Sequence, residues 1–245
     1  MRMANNLFEG GNVFKTAEGQ AATTRIAREN VVPTVQWLVQ LTGLNLVDNM
    51  LGSTGRKETS GDLDLGIDET KITKDVLIQQ LLKRGVKAED IRKSGDSVHL
   101  KTPILGDAKN GYVQTDFMFG DPEFQKFALN TGESDYKGVH RAILLASIAK
   151  AQGMKWSYKN GLVDRETNEI ITKNPQEIAQ NLINGDAADL SSVESIVKKI
   201  KILPNYEELV KDARDAFERD KLTLPEDSTL PGTGAWYRQF LNKRI

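Results

Sequence analysis

Two aspartates on alternate positions of an apolar run, Asp62 and Asp64 in Gly61-Asp62-Leu63-Asp64-Leu65, are the residues of this chain best suited to chemistry. Side chains of a strand alternate between its faces. The spacing therefore predicts both carboxylates on one face, with Leu63 and Leu65 on the other. Carboxylates this close repel each other, and a divalent cation is the usual reason to keep both ionised. Just upstream, Gly52 and Ser53 offer backbone N–H groups and a hydroxyl, and Arg56 offers a planar fork for phosphate. Together these residues predict a metal-dependent site for a nucleoside triphosphate.

Nucleotidyl transfer asks a protein for positioning and charge neutralisation rather than covalent help. Two cations about 4 Å apart can bind the attacking oxygen, the leaving oxygen and the phosphate between them, which calls for a third carboxylate on a neighbouring strand. Asp116 fits. It lies in Tyr112–Phe119, where Tyr112, Gln114, Asp116 and Met118 alternate with Val113, Thr115, Phe117 and Phe119. It would serve as base or as metal-held anchor for the attacking hydroxyl, with Asp107 and Asp121 as the alternatives. Asp68 is expected in solvent or capping a turn. His99 and His140 are expected to be structural or exposed, and Trp37 and Trp156 to lie in the core.

The elements that must position these residues follow from periodicity and punctuation. A helical stripe (Ile26, Val31, Val35, Leu38, Val39) runs over about 21–42, with Pro33 near its start or at a kink and Gly43 as its stop. Short strands are expected at Leu46–Leu51 and Asp62–Ile67, then a helix at Lys74–Arg84 and strands at Ser97–Thr102 and Gly111–Phe119 joined by a turn at 107–111 of the Asn-Gly type. Helices at Pro122–Leu129 and Gly138–Gln152 precede a hairpin around Lys159-Asn160-Gly161 and a strand at Ile170–Thr172. Asn174-Pro175 then opens a helix as N-cap and first residue. Two more helices, Asp189–Ile200 and Tyr206–Glu218, lead to a terminal segment whose Trp236 and Tyr237 are expected to dock.

Composition narrows the classes. In 245 residues, 33 basic and 34 acidic side chains leave a net charge of −1, which argues against coating nucleic acid by bulk electrostatics while leaving room for a local basic patch. The absence of cysteine excludes disulfides, thiolate zinc sites and cysteine nucleophiles, and two histidines exclude a histidine-rich metal site. No run approaches the ~20 apolar residues of a membrane span. Met1–Leu7 lacks the apolar core of a secretion signal, so the expected location is cytoplasmic.

The Gly52-Ser53 turn, an eight-residue spacer that ends in Gly61, and the Asp62-Leu63-Asp64 strand, with Arg56 three residues after Ser53, resemble the signature of the DNA polymerase beta-like nucleotidyltransferase superfamily. The likeness extends over about 35–185. Asn130-Thr131-Gly132, followed by a helix bearing Arg141-Ala142, is similar to the nucleotide-binding segment of family X DNA polymerases. There a Thr-Gly turn abuts the nucleotide sugar and an arginine touches the nascent pair. Leu129-Asn130 replaces the aromatic pair of those polymerases, Glu133 reads as an insertion, and residues 1–34 are expected to be too short for the helix-hairpin-helix modules of that family.

The resemblance implies an α+β fold: a small mixed β-sheet carrying the carboxylates with helices on one face, then a helix-plus-hairpin subdomain and a helical C-terminal extension. The expected divisions are an N-terminal arm and helix start (1–34), a palm-like core (35–130), a nucleotide-binding helix and hairpin (131–187) and the extension (188–245). It implies a nucleotidyltransferase using two Mg²⁺ ions, or Mn²⁺, with an NTP or dNTP as donor and a nucleic acid 3′-end as the leading acceptor. Asp62, Asp64 and Asp116 are its metal and catalytic residues, and Gly52, Ser53, Arg56, Gly61, Thr131, Gly132 and Arg141 its nucleotide contacts. Modification of a protein or small molecule, or a non-catalytic nucleotide-binding module, are the other readings.

Overall fold

The computed structural model describes residues 12–132, 134–220, 222 and 224–225. The expected insertion at Glu133 and the expected docking of Trp236 and Tyr237 lie outside the described residues. The fold is α+β, and the chain forms two compact units, Met1–Lys126 and Phe127–Ile245. Among the described residues no helix is long and apolar enough to cross a membrane.

In the first unit, β1 (Ile26–Ala27) runs into α1 (Arg28–Thr42), and β2 (Thr59–Ser60) pairs antiparallel with β1 immediately before β3 (Asp62–Asp68). After α2 (Lys74–Lys83) come β4 (Ile91–Ser94), β5 (Ser97–Pro103), β6 (Tyr112–Gly120) and the start of α3 (Pro122–Leu129), whose last residues belong to the second unit. The main sheet has the order β3-β6-β5-β4, with β3 parallel to β6 and the other pairs antiparallel. Period two decides its faces. Leu63, Leu65, Val98, Leu100, Val113 and Phe117 are buried in one core with Val31, Val35 and Leu38 of α1 and Leu77 and Leu81 of α2. Each fully buried aliphatic side chain contributes about 1.5–3 kcal/mol. Both helices thus cover one face, and the other carries the aspartates.

Two expected elements differ. Residues 46–51 form no strand of their own, although Met50 makes an isolated antiparallel bridge to Leu65. The β5–β6 connection is not a tight Asn-Gly turn but two short 3₁₀ turns, Ile104–Gly106 and Ala108–Asn110. The cause lies at Gly106, with φ +74°, where a Cβ would stand 2.4 Å from the Trp37 ring. The indole occupies the space a side chain would need, and the chain bends under it.

In the second unit, α4 (Gly138–Ala151) precedes the three-stranded sheet of β7 (Met154–Ser157), β8 (Gly161–Asp164) and β9 (Ile170–Thr172). Then follow α5 (Pro175–Ile183), α6 (Val193–Ile200) and α7 (Tyr206–Arg219). Asn174 caps α5 as expected, its side chain accepting from the N–H groups of Gln176 and Glu177. α4 is the central helix. His140, Arg141, Ile143, Leu144, Leu145, Ser147, Ile148 and Ala149 are all buried, and the Ser147 hydroxyl donates to the Leu209 carbonyl of α7 (2.6 Å).

Candidate metal and phosphate site

The parallel ladder sets Asp64 directly across from Asp116, and Asp62 across from Gln114. One carboxylate oxygen from each of Asp62, Asp64 and Asp116 lies within 4.8 Å of the others, so the three could hold a metal ion. The alternatives to Asp116 have other work. Asp107 accepts from the Lys109 N–H in the 3₁₀ turn, and Asp121 accepts from Glu123 at the start of α3. Asp68 accepts from the N–H and hydroxyl of Thr70, as a turn cap should.

The electrostatics are those of crowded carboxylates. Burial, and then the charges of Asp62 and Asp116, push the Asp64 carboxyl well above the usual carboxylate range. Burial and Asp116 also raise Asp62, while the Arg25 guanidinium opposes the rise. Three hard oxygen donors suit Mg²⁺, Mn²⁺ or Ca²⁺ rather than a thiophilic metal, and a divalent cation among them removes the repulsion that lifts these pKa values.

The Gly-Ser turn is stitched to the same strand. The Leu51 N–H donates to the Asp64 carbonyl (2.9 Å), and the Asp64 N–H donates to the Thr54 hydroxyl (3.0 Å). Both backbone groups of Asp64 are therefore tied to the segment that contains Gly52 and Ser53. Gly52 has φ +61°, and a Cβ there would lie 3.3 Å from Asp64 Oδ2, so the turn backbone closes on the carboxylate. Ser53 and Arg56 are exposed. Because segment 49–51 flanks one edge of β3 and β6 the other, the turn and Asp116 lie on opposite sides of Asp64.

Four residues at this site escaped the sequence reading. Buried Thr54 holds the turn. Arg25 donates from Nε to the Thr59 hydroxyl and from Nη2 to the Thr59 carbonyl (both 2.9 Å), and Gly61 gives it room, since a Cβ there would stand 3.2 Å from Nη1. His99, expected to be structural or exposed, stands across from Asp116 on β5 and donates from Nδ1 to Asp116 Oδ1 (2.7 Å). Gln114 Nε2 donates to both oxygens of Asp116 (3.0 and 3.2 Å). The only advance signal was alternation, which already placed Gln114 on the face of Asp116.

Thr131, Gly132 and Arg141 belong to the second unit. The Gly132 N–H donates to the Ser191 carbonyl (3.0 Å). Arg141, expected to touch a nucleotide, is buried, and its guanidinium is spent on the protein itself. Nε donates to the Leu190 carbonyl, Nη1 to Ala128 (2.8 Å) and Nη2 to Phe127 (3.1 Å). Burial pulls its pKa down to about 10, which leaves it charged at neutral pH. Within the second unit it ties Phe127 and Ala128 to the segment before α6.

No protein-family model matches the chain, and no curated protein matches it.

Proposed function

We propose that the protein is a cytoplasmic, Mg²⁺-dependent nucleotidyltransferase that moves a nucleoside monophosphate from an NTP or dNTP to an acceptor hydroxyl, with a nucleic acid 3′-end as the leading acceptor. One observation carries this reading: three convergent carboxylates share a strand pair with a Gly-Ser turn whose backbone is locked to Asp64. Asp62 and Asp64 would hold both ions and Asp116 one. The bound Mg²⁺ supplies charge neutralisation for the triphosphate and lowers the pKa of the attacking hydroxyl.

The chain's own groups do the rest. The Gly52–Ser53 backbone, the Ser53 hydroxyl and Arg56 bind the β- and γ-phosphates. Asp116, on the other side of Asp64, orients the acceptor and takes its hydroxyl proton at a carboxylate oxygen. The acceptor oxygen bonds to the α-phosphorus as the bond from that phosphorus to the bridging oxygen breaks, and pyrophosphate leaves. Placing the turn and Asp116 on opposite sides of Asp64 favours the in-line arrangement this displacement requires.

The test is incubation with labelled NTPs and dNTPs, Mg²⁺ or Mn²⁺, and separate DNA, RNA and protein acceptors, for the wild type and Asp64→Asn. Label on a primer in the wild type alone supports the reading. Label on protein moves the acceptor to the second class. Nucleotide binding without pyrophosphate release identifies a non-catalytic module, and transfer undiminished in Asp64→Asn overturns the assignment of the site.

A further inference from the structure

Asp116 differs from the other two carboxylates in how it is held. His99 Nδ1 (2.7 Å) grips Oδ1 from β5, and Gln114 Nε2 spans both oxygens from the same strand. A carboxylate only accepts, so the His99 proton engaged here is on Nδ1. The orientation of Gln114 is fixed independently. Its Oε1 accepts from the Val13 N–H (2.8 Å), and a flipped amide would set oxygen against carboxylate and nitrogen against N–H. Val13 sits in a strap of chain that folds back on itself. Asn12 Nδ2 donates to the Thr23 hydroxyl, the Ala22 N–H to the Phe14 carbonyl, Lys15 bridges Ala21, and Phe14 is buried with Arg92 stacked 5.8 Å from its ring centre.

We propose that His99 and Gln114 are positioning residues for Asp116, with the N-terminal strap, through the Val13 N–H, as the brace that sets Gln114. This rests on the nucleotidyltransferase reading, and deepens it. Three like charges within 4.8 Å drive one another apart, and the carboxylate that meets the acceptor has the least freedom to wander. Two donors on one carboxylate fix its plane and leave the remaining lone pairs for the ion. Partners that orient metal-holding groups typically change metal affinity or activity by roughly 10–100-fold when removed. The geometry also explains why a polar glutamine is buried on β6: its oxygen and its nitrogen each have a dedicated partner.

The experiment compares the full-length wild type with His99→Ala, His99→Asn, Gln114→Met and Asp64→Asn. Mn²⁺ binding is measured by the electron paramagnetic resonance of the free ion, beside kcat, KM for the nucleotide and melting temperature. His99→Ala is expected to weaken Mn²⁺ binding and lower kcat by roughly 10–100-fold, with KM within about threefold and the melting temperature held within a few degrees. His99→Asn, whose amide nitrogen can stand where Nδ1 stood, is expected to recover most of the loss, which a merely packing role would not allow. Wild-type Mn²⁺ affinity in His99→Ala, no recovery in His99→Asn, or a wild type that binds no Mn²⁺ overturns the proposal. If His99→Ala fails to fold, Gln114→Met, which keeps volume and loses both polar contacts, carries the same comparison. Absence of transfer to any acceptor overturns the function proposed above and leaves the Mn²⁺ comparison to judge the clamp separately.

Discussion

The sharpest physical consequence of the acidic cluster concerns stability rather than rate: Asp64→Asn should make the protein more stable in the absence of divalent ions. At 4.8 Å and an effective dielectric near 20, each like-charge pair costs about 3.5 kcal/mol, and Asp64 takes part in two such pairs. Protonation caps the cost. A carboxyl with an ordinary pKa near 4 that carries a proton at pH 7 forgoes about 1.4 kcal/mol per unit over roughly three units, or about 4 kcal/mol. Asparagine keeps the shape and removes the charge, so the gain is about 2–4 kcal/mol at pH 7. At about 2–4 °C per kcal/mol, the transition of the first unit should rise by roughly 5–15 °C.

The pH dependence has a definite sign. The folded-state pKa values of Asp62 and Asp64 are raised, so the native state binds more protons than the unfolded chain, and stability falls as pH increases. Their contribution is complete below about pH 4 and is lost as pH climbs through the raised values. In chelator, the wild type should therefore lose stability as pH climbs from about 4 through the raised values, and the variant should lose distinctly less. Excess Mg²⁺ should recover the wild type by mass action and the variant far less. Calorimetry in chelator and in Mg²⁺ across that range decides the matter. An asparagine variant that melts at or below the wild type in chelator at every pH would refute the reasoning, because it would mean that Asp64 is neither buried nor crowded in solution.

Other perturbations follow from single contacts. Arg141→Met leaves three backbone carbonyls without their donor and should cost about 3 kcal/mol or more in denaturant unfolding, with Arg141→Lys recovering only part, since an ammonium cannot span the fork. Gly52→Ala puts a Cβ on a positive-φ residue 3.3 Å from Asp64 Oδ2; it should cost about 1–2 kcal/mol and raise KM for the nucleotide while circular dichroism stays unchanged. Asn174→Ala removes the cap of α5 and should cost about 1 kcal/mol, read as a shifted denaturation midpoint at constant slope.

What was legible in the sequence was local, and the physics says why. Helices cover only one face of the β3-β6-β5-β4 sheet, so every strand in it must alternate. Alternation alone separates Asp62, Asp64, Gln114 and Asp116 from Leu63, Leu65, Val113 and Phe117. The groups that hold those carboxylates are not local. His99 is 17 residues from Asp116, and which β5 residue faces it depends on the register across a connection that bends under the Trp37 indole at Gly106. A slip of one residue would turn His99 into the core and present Val98 or Leu100 to the carboxylate. Period two cannot fix that register without the loop, and the loop's path is set by a tryptophan some seventy residues upstream on α1. The hydrogen bonds of Arg141 were hidden for a related reason. α4 is buried on most of its surface, so no polar stripe told a solvent-facing arginine from one that ties backbone together, and only the carbonyls of Phe127, Ala128 and Leu190 reveal its task. Chemistry announced by residue type and spacing is therefore readable from a single sequence, whereas the side chains that aim it emerge only when distant segments are brought into register.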